Sequence, residues 1–130
     1  MTARELLDAA ISMVCEDPAD ESATADYVER APYLLAAFLG ECTPLDRQYR
    51  HVHGKGDVTD FDGACFALEN VFPLSVVFVP AAVYYLAAML VLDENESMSD
   101  RFFAFYSDTL SAIKSELPAM IEPIHQKYKI

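Results

Sequence analysis

Apolar and polar positions alternate in blocks along this chain, and most blocks carry the spacing of a helix. Leu7, Ala10, Ile11 and Val14 recur three and four apart behind Thr2-Ala-Arg-Glu5. That tetrapeptide has the form of a capping box, in which Thr and Glu each satisfy the other's free backbone N–H. The pattern predicts a first helix that stops at Asp17-Pro18, because the residue before proline avoids helical angles. A polar stretch, Glu16 to Thr24, reads as an exposed loop. A second stripe, Tyr27, Ala31, Leu34, Leu35 and Phe38, predicts a helix from about Ser22 or Thr24 to about Leu39, with Gly40 as its breaker. Pro32 falls inside that stripe and removes the hydrogen bond to the Val28 carbonyl, so a kink is expected there.

From Glu41 to Asn70 the periodicity is lost. This stretch holds Pro44, Gly54, Gly56 and Gly63 together with most of the polar variety of the chain. It is long for a connection inside a compact domain, where about 4–6 residues is usual, and such loops tend to be functional. Helix three is expected from Pro80 to about Leu92, with proline at the first position, where its missing N–H costs nothing. The preceding Phe72-Pro-Leu-Ser-Val-Val-Phe-Val reads as extended chain. Helix three is apolar around its whole circumference, which demands cover on all sides and is easier to meet with neighbouring copies. Asp93 and Glu94 suit a turn better than a helix end. A fourth helix begins near Ser97 to Asp100, is striped by Phe102, Phe103, Tyr106, Leu110, Ile113 and Leu117, and ends at Pro118. The remainder, Pro118 to Ile130, is expected to dock as an arm or to turn once more into a short helix. The fold class that follows is all-α: one domain over residues 1–130, of four to five helices, with an irregular loop at about 41–70 and a C-terminal arm.

Composition narrows what such a domain could do. Hydrophobic residues make up 53% of the 130, which excludes a disordered chain despite a net charge of −12. Twenty-one acids against nine bases also exclude tight sequence-specific nucleic-acid binding, since that affinity rests on Lys and Arg releasing counterions. Cys15, Cys42 and Cys65 form no Cys-x-x-Cys unit, so a reducing compartment and a role as small core residues are expected. Val71 to Leu92 is 22 residues without a charge, long enough to span a bilayer. Its two prolines and its acidic flanks argue instead for a buried segment, and no membrane partner is expected. No signal-peptide pattern is expected at an N-terminus that carries Arg4, Glu5 and Asp8.

The candidate chemistry is thin. His51-Val-His53, with Asp57, Asp60 and Asp62 nearby, has ligand types for a divalent metal but no second motif to complete a closed site. His125 reads as a surface residue. Gly54-Lys55-Gly56 lacks phosphate-loop spacing, and Asp93-Glu94-Asn95-Glu96 lacks the glycine and ligand spacing of a calcium loop. No Ser or Cys stands in a nucleophile motif. No catalytic residue, cofactor or metal ligand is therefore expected, and the protein reads as a non-enzyme. Charge is more informative: residues 1–30 hold eight acids against two bases, while Arg47, Arg50 and Lys55 cluster with two histidines. An acidic surface and a basic loop on one small protein point to head-to-tail or partner contacts, with ordinary solubility charge as the plainer alternative.

Asp26-Tyr-Val-Glu-Arg-Ala-Pro-Tyr-Leu-Leu resembles the second helix of the small head–tail connector (neck adaptor) proteins of tailed phages and prophages. The run Val79-Pro-Ala-Ala-Val-Tyr-Tyr-Leu-Ala-Ala-Met-Leu-Val-Leu-Asp-Glu-Asn resembles their apolar third helix and acidic turn. Phe102-Phe-Ala-Phe-Tyr and Ile121-Glu-Pro-Ile-His-Gln-Lys-Tyr are similar to the helix and tail that follow; residues 43–70 lie outside the resemblance. The resemblance implies a non-enzymatic structural subunit that forms a ring between portal and tail, with DNA passing through its middle. Its partners would be further copies of itself and neighbouring phage head and tail proteins, in the bacterial cytoplasm or the virion. Loop 41–70 and tail 118–130 would then reach adjacent subunits. Two other readings stay open: an acidic binding or inhibitor module that mimics the charge of DNA, and a metal-dependent enzyme using His51 and His53.

Overall fold

The computed structural model describes residues 1–117; the C-terminal arm expected at 118–130, with His125, lies outside the described residues. Four α-helices follow one another: α1, Ala3–Met13; α2, Glu21–Val52; α3, Val79–Leu90; and α4, Glu96–Lys114, with a short 3₁₀ turn at Val76–Phe78 before α3. The chain is all-α, and among the described residues β pairing is limited to a bridge between Thr2 and Val71.

Helices α1, α2 and α4 start at side-chain caps, whereas α3 has none and carries Pro80 in its first turn. Thr2 Oγ1 accepts from the Glu5 N–H at 3.3 Å, and Glu5 Oε1 accepts from the Thr2 N–H at 3.1 Å, the reciprocal pair expected of a capping box. Asp20 and Asn95 cap α2 and α4 by accepting from Ala23 and Met98. Two ends differ from expectation. Helix α1 stops at Met13, ahead of Asp17-Pro18, because Cys15 takes a left-handed φ of 67° and turns the chain. Helix α2 does not stop at Gly40 but continues as one helix to Val52, through both Pro32 and Pro44. The irregular stretch therefore begins at His53 rather than at residue 41. Gly40 and Pro44 are both exposed, so the helix bond that Pro44 cannot make leaves no polar group stranded in the core.

Helix α3 forms the centre. Ala81, Ala82, Val83, Leu86, Ala87, Ala88 and Leu90 are buried, with α4, α1 and α2 packed around them. One chain covers most of this helix, because alanine on several faces lets three other helices approach closely; Pro80 is exposed, and Val79, Tyr84, Tyr85 and Met89 are half-buried. Phe38 of α2 is fully buried at the meeting point of Phe72, Tyr85 and Tyr106, with ring centroids 6.2, 5.7 and 6.2 Å away. Burying such a side chain stabilises the fold by roughly 1.5–3 kcal/mol, and offset or tilted rings add to it. The α4 stripe points inward as predicted, with Phe102, Tyr106, Leu110, Ile113 and Leu117 buried and Phe103 half-buried.

Candidate functional site

The chemistry-bearing residues gather where the C-terminal half of α2 meets residues 53–75. Asp46 occupies a core position of α2 and is completely buried. Its Oδ2 accepts from Arg50 Nε at 2.8 Å and from the Ser75 N–H at 3.2 Å, while its Oδ1 is buried without a hydrogen-bond partner among the described residues. Arg50, one turn on, also donates to the Gly56 carbonyl at 3.3 Å and the Pro73 carbonyl at 3.0 Å. One buried carboxylate and one guanidinium thus tie both ends of the irregular segment to the helix that precedes it. Taking a charge out of water is costly unless it is paired and hydrogen-bonded, so this pair holds only as a unit.

Arg47, on the outer side of α2, is bound by Asp60 and by Asp57, the latter at 3.2 Å, and donates to the Val58 carbonyl at 3.3 Å. The hydrogen bond to Asp60, then the charges of both carboxylates, push the Arg47 pKa further up. Val58 and Phe66 are buried against the core, and the Phe66 N–H donates to the Pro32 carbonyl at 2.9 Å. Loop 53–75 is therefore folded onto its own chain. The basic island is corrected: Arg47 and Arg50 are spent on Asp57, Asp60 and Asp46, leaving Lys55 as its one cation outside an ion pair among the described residues.

A cavity of about 460 Å³ lies there, lined by Arg47, Gln48, Arg50, His51, Lys55 and Asp57. His51 and His53 do not converge on it together. His53 stacks on Tyr49 with ring centroids 4.3 Å apart, and Lys55 lies 5.4 Å from the centre of the same ring. Asp57 and Asp60, the carboxylates expected beside the histidines, face Arg47 instead, and Asp62 is exposed. Among the described residues no three His, Cys, Asp or Glu side chains come close enough to hold a metal ion.

The cysteines divide. Cys42 is the small core residue expected, with burial pushing its thiol up to about 12 and its Sγ 4.0 Å from the Tyr106 hydroxyl. At neutral pH it is protonated and a poor nucleophile. Cys15 and Cys65 are exposed, contrary to the expectation for all three, and all are free thiols. Tyr106, its own pKa raised mainly by burial, donates to Glu41 Oε1 at 2.9 Å. Tyr27 donates to Glu94 Oε2 at 2.7 Å; burial first and Glu94 second lift its pKa to about 12. These bonds join α2 to α4 and to the acidic turn before it.

A second concavity, of about 400 Å³, was not singled out from the sequence. It separates residues 28–33 of α2 from residues 65–69, and its rim carries Glu29 and Glu69. The signal available for it was Pro32, whose missing N–H marks the Val28 carbonyl as short of its helical donor. No helix of the described residues is long and apolar enough to cross a membrane. Compared with known proteins, the chain matches no protein-family model, no curated protein and no solved structure.

Proposed function

We propose that this chain is a non-enzymatic structural subunit of a tailed-phage or prophage particle, a head–tail connector whose copies form a ring between portal and tail. The observation that carries the reading is a predominantly acidic surface. Of the 21 acids and nine bases, only Glu122, Lys127 and Lys129 lie beyond residue 117, leaving twenty acids against seven bases. Four of those seven, Arg4, Arg30, Arg47 and Arg50, are engaged in ion pairs within the chain. Asp46 is the only carboxylate among the twenty that is buried. A wall of outward carboxylates keeps DNA phosphates in free passage rather than adsorbed, which is what a conducting channel needs. Contacts between copies would use exposed apolar side chains such as Val71, Val76 and Phe105.

Native mass spectrometry and negative-stain imaging of the full chain, alone and with purified portal, test this. A ring on the portal is the expected result. A strict monomer at high concentration, with no ring on the portal, overturns it. A second reading, an acidic module that binds a basic protein in place of DNA, is favoured by the pairing of Arg47 and Arg50, which removes the basic loop that fitted it poorly. Salt-sensitive binding of a basic nuclease or repressor, without ring formation, would select that reading.

A further inference from the structure

Helix α2 is continuous at Pro32 in its path but not in its hydrogen bonding. Proline has no N–H, so the Val28 carbonyl one turn earlier lacks the donor a helix supplies four residues on. No backbone or side-chain donor from outside α2 reaches that carbonyl among the described residues. This turn forms one wall of the 400 Å³ groove, and residues 65–69 form the other. Both walls are held in place. The Phe66 N–H donates to the Pro32 carbonyl at 2.9 Å, and the Phe66 ring packs edge-on against Phe61 with centroids 5.6 Å apart. At the far end, the Arg4 N–H donates to the Leu68 carbonyl at 3.0 Å. The groove is thus formed before anything enters it, and little ordering is left for a ligand to bring about.

Its lining has the chemistry of a cation receptor. Val28, Pro32 and Leu68 supply apolar contact, and Glu29 and Glu69 are exposed at the rim. Neither glutamate is in an ion pair among the described residues, unlike Asp8, Asp26, Asp46, Asp57 and Asp60. Tyr33 is 62% exposed, leaving an aromatic ring open to a cation at the same groove. The cavity at the end of α2 offers no comparable site for an anion, because its two arginines are already paired and the protein's net charge of −12 opposes anion approach.

We propose that the groove between residues 28–33 and 65–69 is a docking site for a partner protein segment that presents an arginine or lysine between apolar residues. The cationic head sits between Glu29 and Glu69 with the Val28 carbonyl as a further acceptor. Its aliphatic stem and flanking residues lie along Tyr33, Pro32 and Leu68. The surrounding negative field draws such a segment in and turns acidic competitors away. The inference rests on the groove alone and holds whether or not the chain is a connector subunit.

The test uses the full, isotope-labelled chain and two short peptides, one with arginine flanked by leucines and one with uncharged citrulline in its place. Amide shifts on adding the arginine peptide are expected at Val28, Glu29, Tyr33, Leu68 and Glu69. The double substitution Glu29→Gln, Glu69→Gln is expected to weaken binding by roughly tenfold at low salt, through loss of two charges that line the groove, and the citrulline peptide to bind as weakly to the unaltered chain. Both glutamates are exposed, so an unchanged melting temperature verifies that the variant is folded. Equal binding of the two peptides, equal binding by the variant, shifts centred elsewhere, or no binding at about 1 mM peptide overturns the proposal. So does self-association abolished by the same substitutions, which would place a second copy in the groove.

Discussion

Helices α1 and α2 end in the same geometry on very different residues. Beyond the last turn of each, one residue takes a φ of 67°: Cys15 after α1 and Gly54 after α2. Around Cys15, the Cys15 N–H donates to Ser12 at 3.1 Å and the Glu16 N–H to Ile11 at 3.2 Å. Around Gly54, the Gly54 N–H donates to His51 at 3.3 Å and the Lys55 N–H to Arg50 at 2.8 Å. Both are Schellman closures, which satisfy carbonyls the helix would otherwise leave unbonded. Glycine enters the left-handed region freely, whereas an L-residue is strained there by about 1–2 kcal/mol. The end of α2 is written locally. That of α1 is imposed by its surroundings, with Ile11 and Val14 buried on either side of the turn's start. The α2 end also has a tether that α1 lacks, since Arg50 holds residues 56 and 73 while paired to Asp46.

That tether gives the largest expected effect. Asp46→Ala leaves the Arg50 guanidinium and the Ser75 N–H without their buried acceptor, and should destabilise the fold by about 3–5 kcal/mol in urea unfolding. Hydrogen exchange should rise first at residues 55–58 and 73–75. A change below about 1 kcal/mol would mean the turn at Gly54 secures this end without the ion pair. Gly54→Ala comes next. A Cβ there meets no neighbour within 4 Å, so only backbone strain acts, and a loss of about 1–2 kcal/mol is expected.

The same contrast explains what could be read from the amino-acid order. The capping box at Thr2 and Glu5 and the stripe from Phe102 to Leu117 are local patterns, and both appear where predicted. The second half of α2 was lost because Gly40 and Pro44 resemble stop signals, although Phe38, Cys42, Leu45 and Tyr49 continue its stripe. Asp46 breaks the apolar pattern at a core position, and although Arg50 one turn on is a local partner, the Ser75 N–H that completes its pairing lies 29 residues away. The groove was less legible still. It joins residues 28–33 to residues 65–69, and no local period reports that two segments so far apart will meet. The basic island failed for a related reason, since counting charges from 47 to 55 omits the carboxylates at 57 and 60 that fold back onto Arg47.

If the end of α1 is strained as described, removing the side chain should help. Cys15 is exposed, so Cys15→Gly forfeits little packing, and relief at a φ of 67° outweighs the added freedom of the unfolded chain. A gain of about 1 kcal/mol is expected. A loss instead would show that the Cys15 side chain contributes contacts that offset its backbone strain. Run beside Gly54→Ala in the same denaturant series, the two substitutions should move stability in opposite directions.

Gly40→Ala is the smallest effect and isolates the remaining variable. Gly40 has neither a left-handed φ nor a close neighbour: it lies inside α2, exposed, with nothing within 4 Å of an added Cβ. Glycine in a helix interior is less favourable than alanine by about 0.5–1 kcal/mol, mainly because its unfolded chain is freer. If α2 runs unbroken through this point, Gly40→Ala should stabilise by about that amount, with more helical circular dichroism at temperatures near the midpoint. If the helix instead opens at Gly40 and Pro44, alanine brings no gain or a loss. Paired with Gly54→Ala, the measurement separates a glycine that a helix merely tolerates from one that its ending requires.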